Sequence, residues 1–138
     1  MSTSLHQWRS CQVRAFVPPG YQLYVDVAFH TSGHENEVRI QEAPHAHKGG
    51  VGVFLSSSAP GGAWASPPNT GTATRIWYIE PRYREPSRPV PTWHHFDDEH
   101  AALLFCDDTN AVYGFEEGRD ADFIDACVTL HWRRVGLP

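Results

Sequence analysis

The chain of 138 residues is long enough for one domain whose core needs neither disulfides nor a metal. Its formal net charge is −5, and its 11 basic residues include one lysine and no run of more than two adjacent cations. Because such a surface is acidic, we do not expect nucleic acid as a partner. We expect membrane association only through another protein. With 11 prolines, 11 glycines and a 41% hydrophobic content, the composition favours a mainly β (α+β) fold with many turns.

The cysteines and the hydropathy pattern bear on the compartment. Cys11, Cys106 and Cys127 are far apart and form no C-x-x-C motif, which is typical of reduced core thiols. The chain begins without an apolar signal segment, and it contains no apolar stretch as long as a membrane span. We therefore expect a cytoplasmic protein with a single domain over residues 1–138.

The first two thirds of the chain alternate between strand patterns and turns. Segments rich in β-branched and aromatic residues predict strands at 12–16, 21–29, 37–41, 50–56 and 72–79. The turn at Pro18-Pro19-Gly20 joins the first two of them, which predicts a hairpin. Two stretches rich in proline and glycine, 57–71 and 81–91, predict irregular surface loops, where specificity often resides.

The last third of the chain predicts a hairpin followed by a helix. Residues 101–106 and 111–115 are apolar runs separated by an Asp-Asp-Thr-Asn turn. Further on, polar residues recur at spacings of three and four, which predicts one amphipathic helix over 119–134. The apolar stripe of this helix, expected to cover the open end of a curled sheet, contains Phe123, Cys127 and Leu130.

This ending resembles the pleckstrin-homology-like (PH-like) superfold. Residues 114–123 (GFEEGRDADF) are similar to the strand-to-helix segment of the NECAP family of endocytic adaptor-ear-binding proteins, with a Gly-Phe pair, a charged turn, an Asp-Ala pair and a Phe in that order. Residues 111–115 also resemble the end of EVH1 domains and of the decapping activator. The resemblance implies a PH-like curled β-sandwich or barrel capped by one C-terminal amphipathic helix. It also implies a non-catalytic module that binds a short peptide or partner protein in vesicle trafficking or cytoskeletal scaffolding.

Aromatic side chains are the candidate binding residues of such a module, because exposed aromatics on loops and edges are frequent hot spots. Trp64 lies in the first predicted loop, and Trp93 lies two residues after the second. Phe16, Tyr21 and Tyr24 belong to the predicted first hairpin, where EVH1 domains keep aromatic ligand contacts. The alternative interpretation is that each of these side chains anchors its segment to the core.

Histidines support a second hypothesis, a metal-dependent cupin-like small-barrel enzyme. His45 and His47 form a His-x-His pair that resembles the cupin motif, and one of His94, His95 or His100 would complete the ligand set. The glutamate that a cupin has a few residues later is missing, so solvated loop histidines are the plainer interpretation. Since no G-x-S-x-G and no phosphate-binding glycine motif occurs either, we expect a non-catalytic protein that needs no cofactor.

Overall fold

The computed structural model describes residues 5–9, 11–29, 35–43, 53–56, 62–84, 93–116 and 126–135. Within these ranges the chain forms two antiparallel β-sheets that face each other, and the strands do not close into a barrel. The mainly β prediction is therefore confirmed, while kinship with the PH-like superfold stays a prediction. No helix in this part of the chain is long and apolar enough to cross a membrane.

The first sheet contains, in spatial order, β1 (His6–Arg9), β2 (Gln12–Val17), β7 (Arg75–Arg84), β4 (Glu35–Glu42) and β5 (Val53–Ser56). A two-residue strand, β8 (His94–His95), pairs with β7 at Arg82 and Tyr83. The second sheet contains, in spatial order, β6 (Gly62–Ala65), β3 (Tyr21–Phe29), β11 (Ala126–Arg134), β10 (Asn110–Phe115) and β9 (Ala101–Cys106). One turn of 3-10 helix (Asp98–His100) leads into β9.

The core lies between the two sheets, because the strands bury every second residue on their inner faces. Its fully buried members include Val13, Ala15, Leu23, Val25, Val38, Ile40, Ile79, Val128 and Leu130. A chain of aromatic rings closes one end of this core. Phe96 contacts both Tyr83 and Phe115, at centroid distances of 4.9 and 5.3 Å, and Phe115 in turn contacts Trp8.

The predicted first hairpin is wrong. The segments 12–16 and 21–29 are strands as expected, but β2 pairs with β1 and β7, whereas β3 pairs with β6 and β11. The turn at Pro18-Pro19-Gly20 therefore carries the chain from one sheet to the other. Both strands bury one face, so each finds long-range neighbours in its own sheet rather than its sequence neighbour.

The predicted second loop begins later than expected, because β7 continues through Pro81 to Arg84. Pro81 is opposite Val38 of β4. On the other side of β7, pairing with β2 stops at Ile79 and pairing with β8 starts at Arg82. Proline has no N–H to donate, and this gap between two partners is where a strand tolerates it.

The predicted helix over 119–134 is wrong in its second part, since residues 126–134 form the strand β11. This strand pairs along its length with β3 on one side and with β10 on the other. Its composition of valine, threonine and tryptophan with strict alternation of buried residues favours a central strand. Residues 119–125, including Phe123, lie outside the described residues.

The predicted apolar plug is wrong for the same reason. Leu130 is buried and points into the core, whereas Cys127 is half-buried and lies on the opposite, outer face of β11. In a strand these two positions differ by an odd number of residues and cannot share a face. Trp132 is buried and donates its indole N–H to the carbonyl of Phe16 at 2.9 Å, which ties the two sheets together.

The segment 66–74 between β6 and β7 is irregular, and the buried side chain of Asn69 contributes to holding it in place. The Asn69 amide nitrogen donates to the carbonyls of Val17 and Ala73, both at 2.8 Å. Its Oδ1 accepts from the N–H of Gly71 at 3.1 Å. A loop with such internal hydrogen bonds keeps a defined shape without forming a strand.

Candidate functional site

The two sides of the sandwich, where edge strands of opposite sheets meet, differ in how they are filled. On one side β5 and β6 pack tightly, because a Cβ atom placed on Gly62 would lie 2.8 Å from Leu55 Cδ2. On the other side β1 and β9 leave a cleft of about 390 Å³. We call this space the β1/β9 cleft; it is lined by His6, Gln7, Trp8, Ala101, Ala102, Leu103 and Tyr113.

The floor of the cleft is a hydrogen bond between His6 and Tyr113, with Nδ1 and the phenol oxygen 2.7 Å apart. Burial lowers the pKa of His6 from its usual value of 6.5, and burial raises the pKa of Tyr113 to about 12. The imidazole is thus neutral and the phenol protonated at neutral pH. The contact is a neutral hydrogen bond in a largely apolar setting.

The wall of the cleft on the β1 side is the Trp8 indole. Its ring lies 5.5 Å from that of Phe115, and its N–H donates to Asp98 Oδ1 at 2.6 Å. The indole is therefore fixed at both its apolar and its polar end. A fixed aromatic beside an opening is a surface suited to receiving an apolar side chain.

The opposite wall is β9, the edge strand of its sheet. Three consecutive large apolar side chains are exposed there, Leu103 at 47%, Leu104 at 48% and Phe105 at 54%. The pairing with β10 shifts register between Val112 and Tyr113, which leaves Leu104 as an extra residue of a β-bulge. The shift lets apolar side chains face both sides of the strand.

The backbone of β9 also has groups that no described strand pairs. Glu116 donates its N–H to the carbonyl of His100 at 2.9 Å, which marks these two residues as a hydrogen-bonded pair. Because such pairs alternate along an antiparallel ladder, Ala101 and Leu103 occupy the non-hydrogen-bonded positions. Their N–H and C=O groups point away from β10, toward the space where a further strand would lie.

The structure places Trp64 differently from the sequence prediction. It lies on β6 rather than in an irregular loop, it is opposite Val25, and its ring packs on Trp77 at 4.8 Å between the sheets. Tyr24 shares one shallow depression with it, of about 240 Å³, at the β6 edge. This depression is at the opposite edge of the second sheet from β9.

Trp93 lies against the outer face of the first sheet. Its ring is 4.6 Å from the guanidinium carbons of both Arg82 and Arg84. These arginines bond across the strands to Glu37 at 2.8 Å and Glu35 at 2.9 Å. The indole thus covers a ladder of ion pairs, a packing role that accounts for its half-buried state.

The remaining aromatic candidates do not form one surface. Phe16 is on β2 in the first sheet, whereas Tyr21 and Tyr24 are on β3 in the second. Arg134 lies over the ring of Tyr21 at 5.8 Å, and Arg133 lies over that of Tyr24 at 5.4 Å. The common surface expected from a first hairpin is absent because that hairpin does not form.

The histidines of the metal hypothesis are only partly described, since His45 and His47 lie outside the described residues. His94 and His95 are exposed on β8, and His100 bonds to Asp97 at 2.6 Å. Among the residues that the structure describes, no three His, Cys, Asp or Glu side chains are grouped to hold a metal ion. The metal hypothesis stays a prediction.

The sequence matches no protein-family model and no curated protein. The β1/β9 cleft is therefore a candidate site on the basis of its geometry alone. Sequence reasoning recognised 101–106 as a strand but missed that it is an edge strand with its apolar side chains exposed. Two signals were available: the run is apolar at successive positions rather than at alternate ones, and acidic residues stand at both of its ends.

Proposed function

We propose that the protein is a non-catalytic protein-interaction module that binds an extended segment of a partner protein by strand addition at β9. The observation that carries the proposal is the exposure of Leu103, Leu104 and Phe105 on an edge strand. Natural sheets usually blunt their edges with charges, prolines or short strands, because an apolar edge recruits other chains. An edge of six residues that keeps large apolar side chains is best explained by a partner that covers them.

The cleft supports the same occupant. A strand added beside β9 would lie about 4.8 Å from it, in register with the outward backbone groups of Ala101 and Leu103. Side chains on one face of that strand would enter the β1/β9 cleft and meet the Trp8 indole. Backbone pairing would supply affinity, and the cleft would supply selectivity for side chains at alternate positions.

The compartment is part of the proposal. Cys106 is a free thiol on the exposed β9 edge, and an exposed thiol suits a reducing environment. We accordingly propose a cytoplasmic partner protein. A role in trafficking or scaffolding is suggested by the family resemblance alone. The proposed site does not depend on that role.

The test uses nine-residue peptides selected from a random library against the intact protein. Binding of the selected peptides is then measured by fluorescence anisotropy on two variants, Leu104→Lys at the β9 edge and Ala65→Lys at the β6 edge of the same sheet. Both positions are exposed, so both variants are expected to keep the melting temperature of the parent protein.

We expect Leu104→Lys to weaken binding at least about tenfold, which corresponds to about 1.4 kcal/mol, and Ala65→Lys to leave it unchanged. Amide hydrogen exchange at Ala101 and Leu103 should slow when peptide is bound, because their N–H groups would become paired. If the peptides bind Leu104→Lys as well as the parent, or protect amides elsewhere, the proposed site is wrong.

A further inference from the structure

The two ends of the β9 edge carry the same sign of charge. Asp97, Asp98 and Glu99 precede the strand, and Asp107 and Asp108 follow it, all of them exposed. The stretch from 97 to 110 contains no arginine or lysine. An apolar edge is therefore bracketed by carboxylates at both ends.

Local hydrogen bonds keep these carboxylates ionised. His100 bonds to Asp97 and holds the pKa of that carboxyl below its usual value. At the other end, the N–H of Thr109 and the amide of Asn110 bond to Asp107 and lower its pKa. Both ends are thus negative at neutral pH. The facing strand β1 contributes one arginine, Arg9, against three carboxylates before β9 and two after it.

This charge arrangement disfavours a second copy of the chain as the occupant. If two β9 strands paired antiparallel, residues 107–108 of one copy would lie beside residues 97–99 of the other. If they paired parallel, each acidic end would lie beside its own equivalent. Either arrangement brings like charges together, which costs free energy and acts against self-association through an apolar edge.

We infer that β9 recognises an extended segment of a partner protein that is apolar in its middle and carries lysine or arginine at both ends. This inference rests on the proposed function and names the chemistry of its ligand. The six residues of β9 span about 20 Å, so the two basic ends of the segment would be separated by about that distance. The apolar middle covers Leu103, Leu104 and Phe105, while the basic ends face the two acidic groups.

The experiment uses three labelled synthetic peptides with one shared core of alternating threonine and valine. The ends carry two lysines, two serines or two glutamates. Affinity for the intact protein is measured by fluorescence anisotropy in low salt and in 0.5 M NaCl, and bound positions are mapped by amide chemical shifts. We expect the lysine peptide to bind at least about tenfold tighter than the glutamate peptide in low salt.

The same difference should shrink in 0.5 M NaCl, because the Debye length falls to about 4 Å. The double variant Glu99→Gln/Asp108→Asn removes one charge from each end and should reduce the preference several-fold. Asp26→Asn, an exposed carboxylate on β3, is the matched control and should leave the preference unchanged.

Each contrary result has a distinct meaning. If all three peptides shift the β9 amides with equal affinity, the charge rule is overturned while docking at the edge stands. If no peptide shifts the β9 amides, the proposed function fails together with the inference. If sedimentation shows the chain dimerising through β9 as salt rises, the occupant is a second copy and the inference is overturned.

Discussion

Replacing Asn69 by alanine should destabilise the protein by about 3 kcal/mol, since the side chain closes the 66–74 loop onto the core. The largest part is the loss of the donor to the carbonyl of Val17, a residue only 1% exposed, which costs about 2 kcal/mol. The bonds to Ala73 and Gly71 involve exposed residues, and water replaces them at a cost of about 0.5 kcal/mol each.

The measurement is urea unfolding followed by tryptophan fluorescence, supported by a thermal melt in which the midpoint should fall by about 10 °C. Asn69→Asp is the diagnostic companion, because it keeps the size but replaces the donating NH₂ by an oxygen that faces two carbonyls. We expect it to be worse than Asn69→Ala at neutral pH. If Asn69→Asp is as stable as Asn69→Ala or more so, the two donated hydrogen bonds do not hold the loop and the reasoning fails.

Two further predictions concern the sides of the sandwich. Gly62→Ala should cost about 1–3 kcal/mol in urea unfolding, because the new methyl group meets both Cβ and Cδ2 of Leu55; an unchanged midpoint would contradict the tight β5/β6 packing. For His6, burial lowers the pKa in the folded state, so the unfolded chain binds the proton more readily. The resulting stability is present above the unfolded pKa of 6.5 and is lost as pH falls below it. Thermal melts between about pH 7.5 and 5.5 should therefore show a smaller loss for His6→Gln than for the parent, and equal losses would refute this assignment.

Local patterns in the sequence predicted the positions of the strands more accurately than the pairing between strands. Alternation identified β3 and β4, and the Asp-Asp-Thr-Asn turn identified the β9/β10 hairpin, because these signals lie within a few residues of one another. The pairing of β2 with β7 and of β3 with β11 joins segments far apart in the chain. No local pattern specifies such pairings, and the Pro-Pro-Gly turn alone did not distinguish a hairpin from a crossing between sheets.

The C-terminal error has a specific physical origin. Residues 126–133 satisfy a period of two, yet Thr129 and Arg133 also lie four apart, so a helical period is equally compatible with the same residues. Pairing with β3 on one side and with β10 on the other decides between the two, and such pairing is a property of the folded chain. The proposed binding site was missed for a related reason, because an apolar run such as 101–106 is typical of core until its neighbours are known.

The contrast between the two sides of the sandwich also sets the stoichiometry of any complex. Continuous assembly of sheets requires each subunit to offer two open edges, one to receive a strand and one to extend the array. Among the described strands, the exposed large apolar side chains are all on β9, whereas the short edge strand β6 carries small exposed alanines and packs through Gly62 against Leu55 of β5. With one apolar edge among the strands that the structure describes, a subunit ends a sheet instead of propagating it, so we expect one partner segment per protein and no filaments.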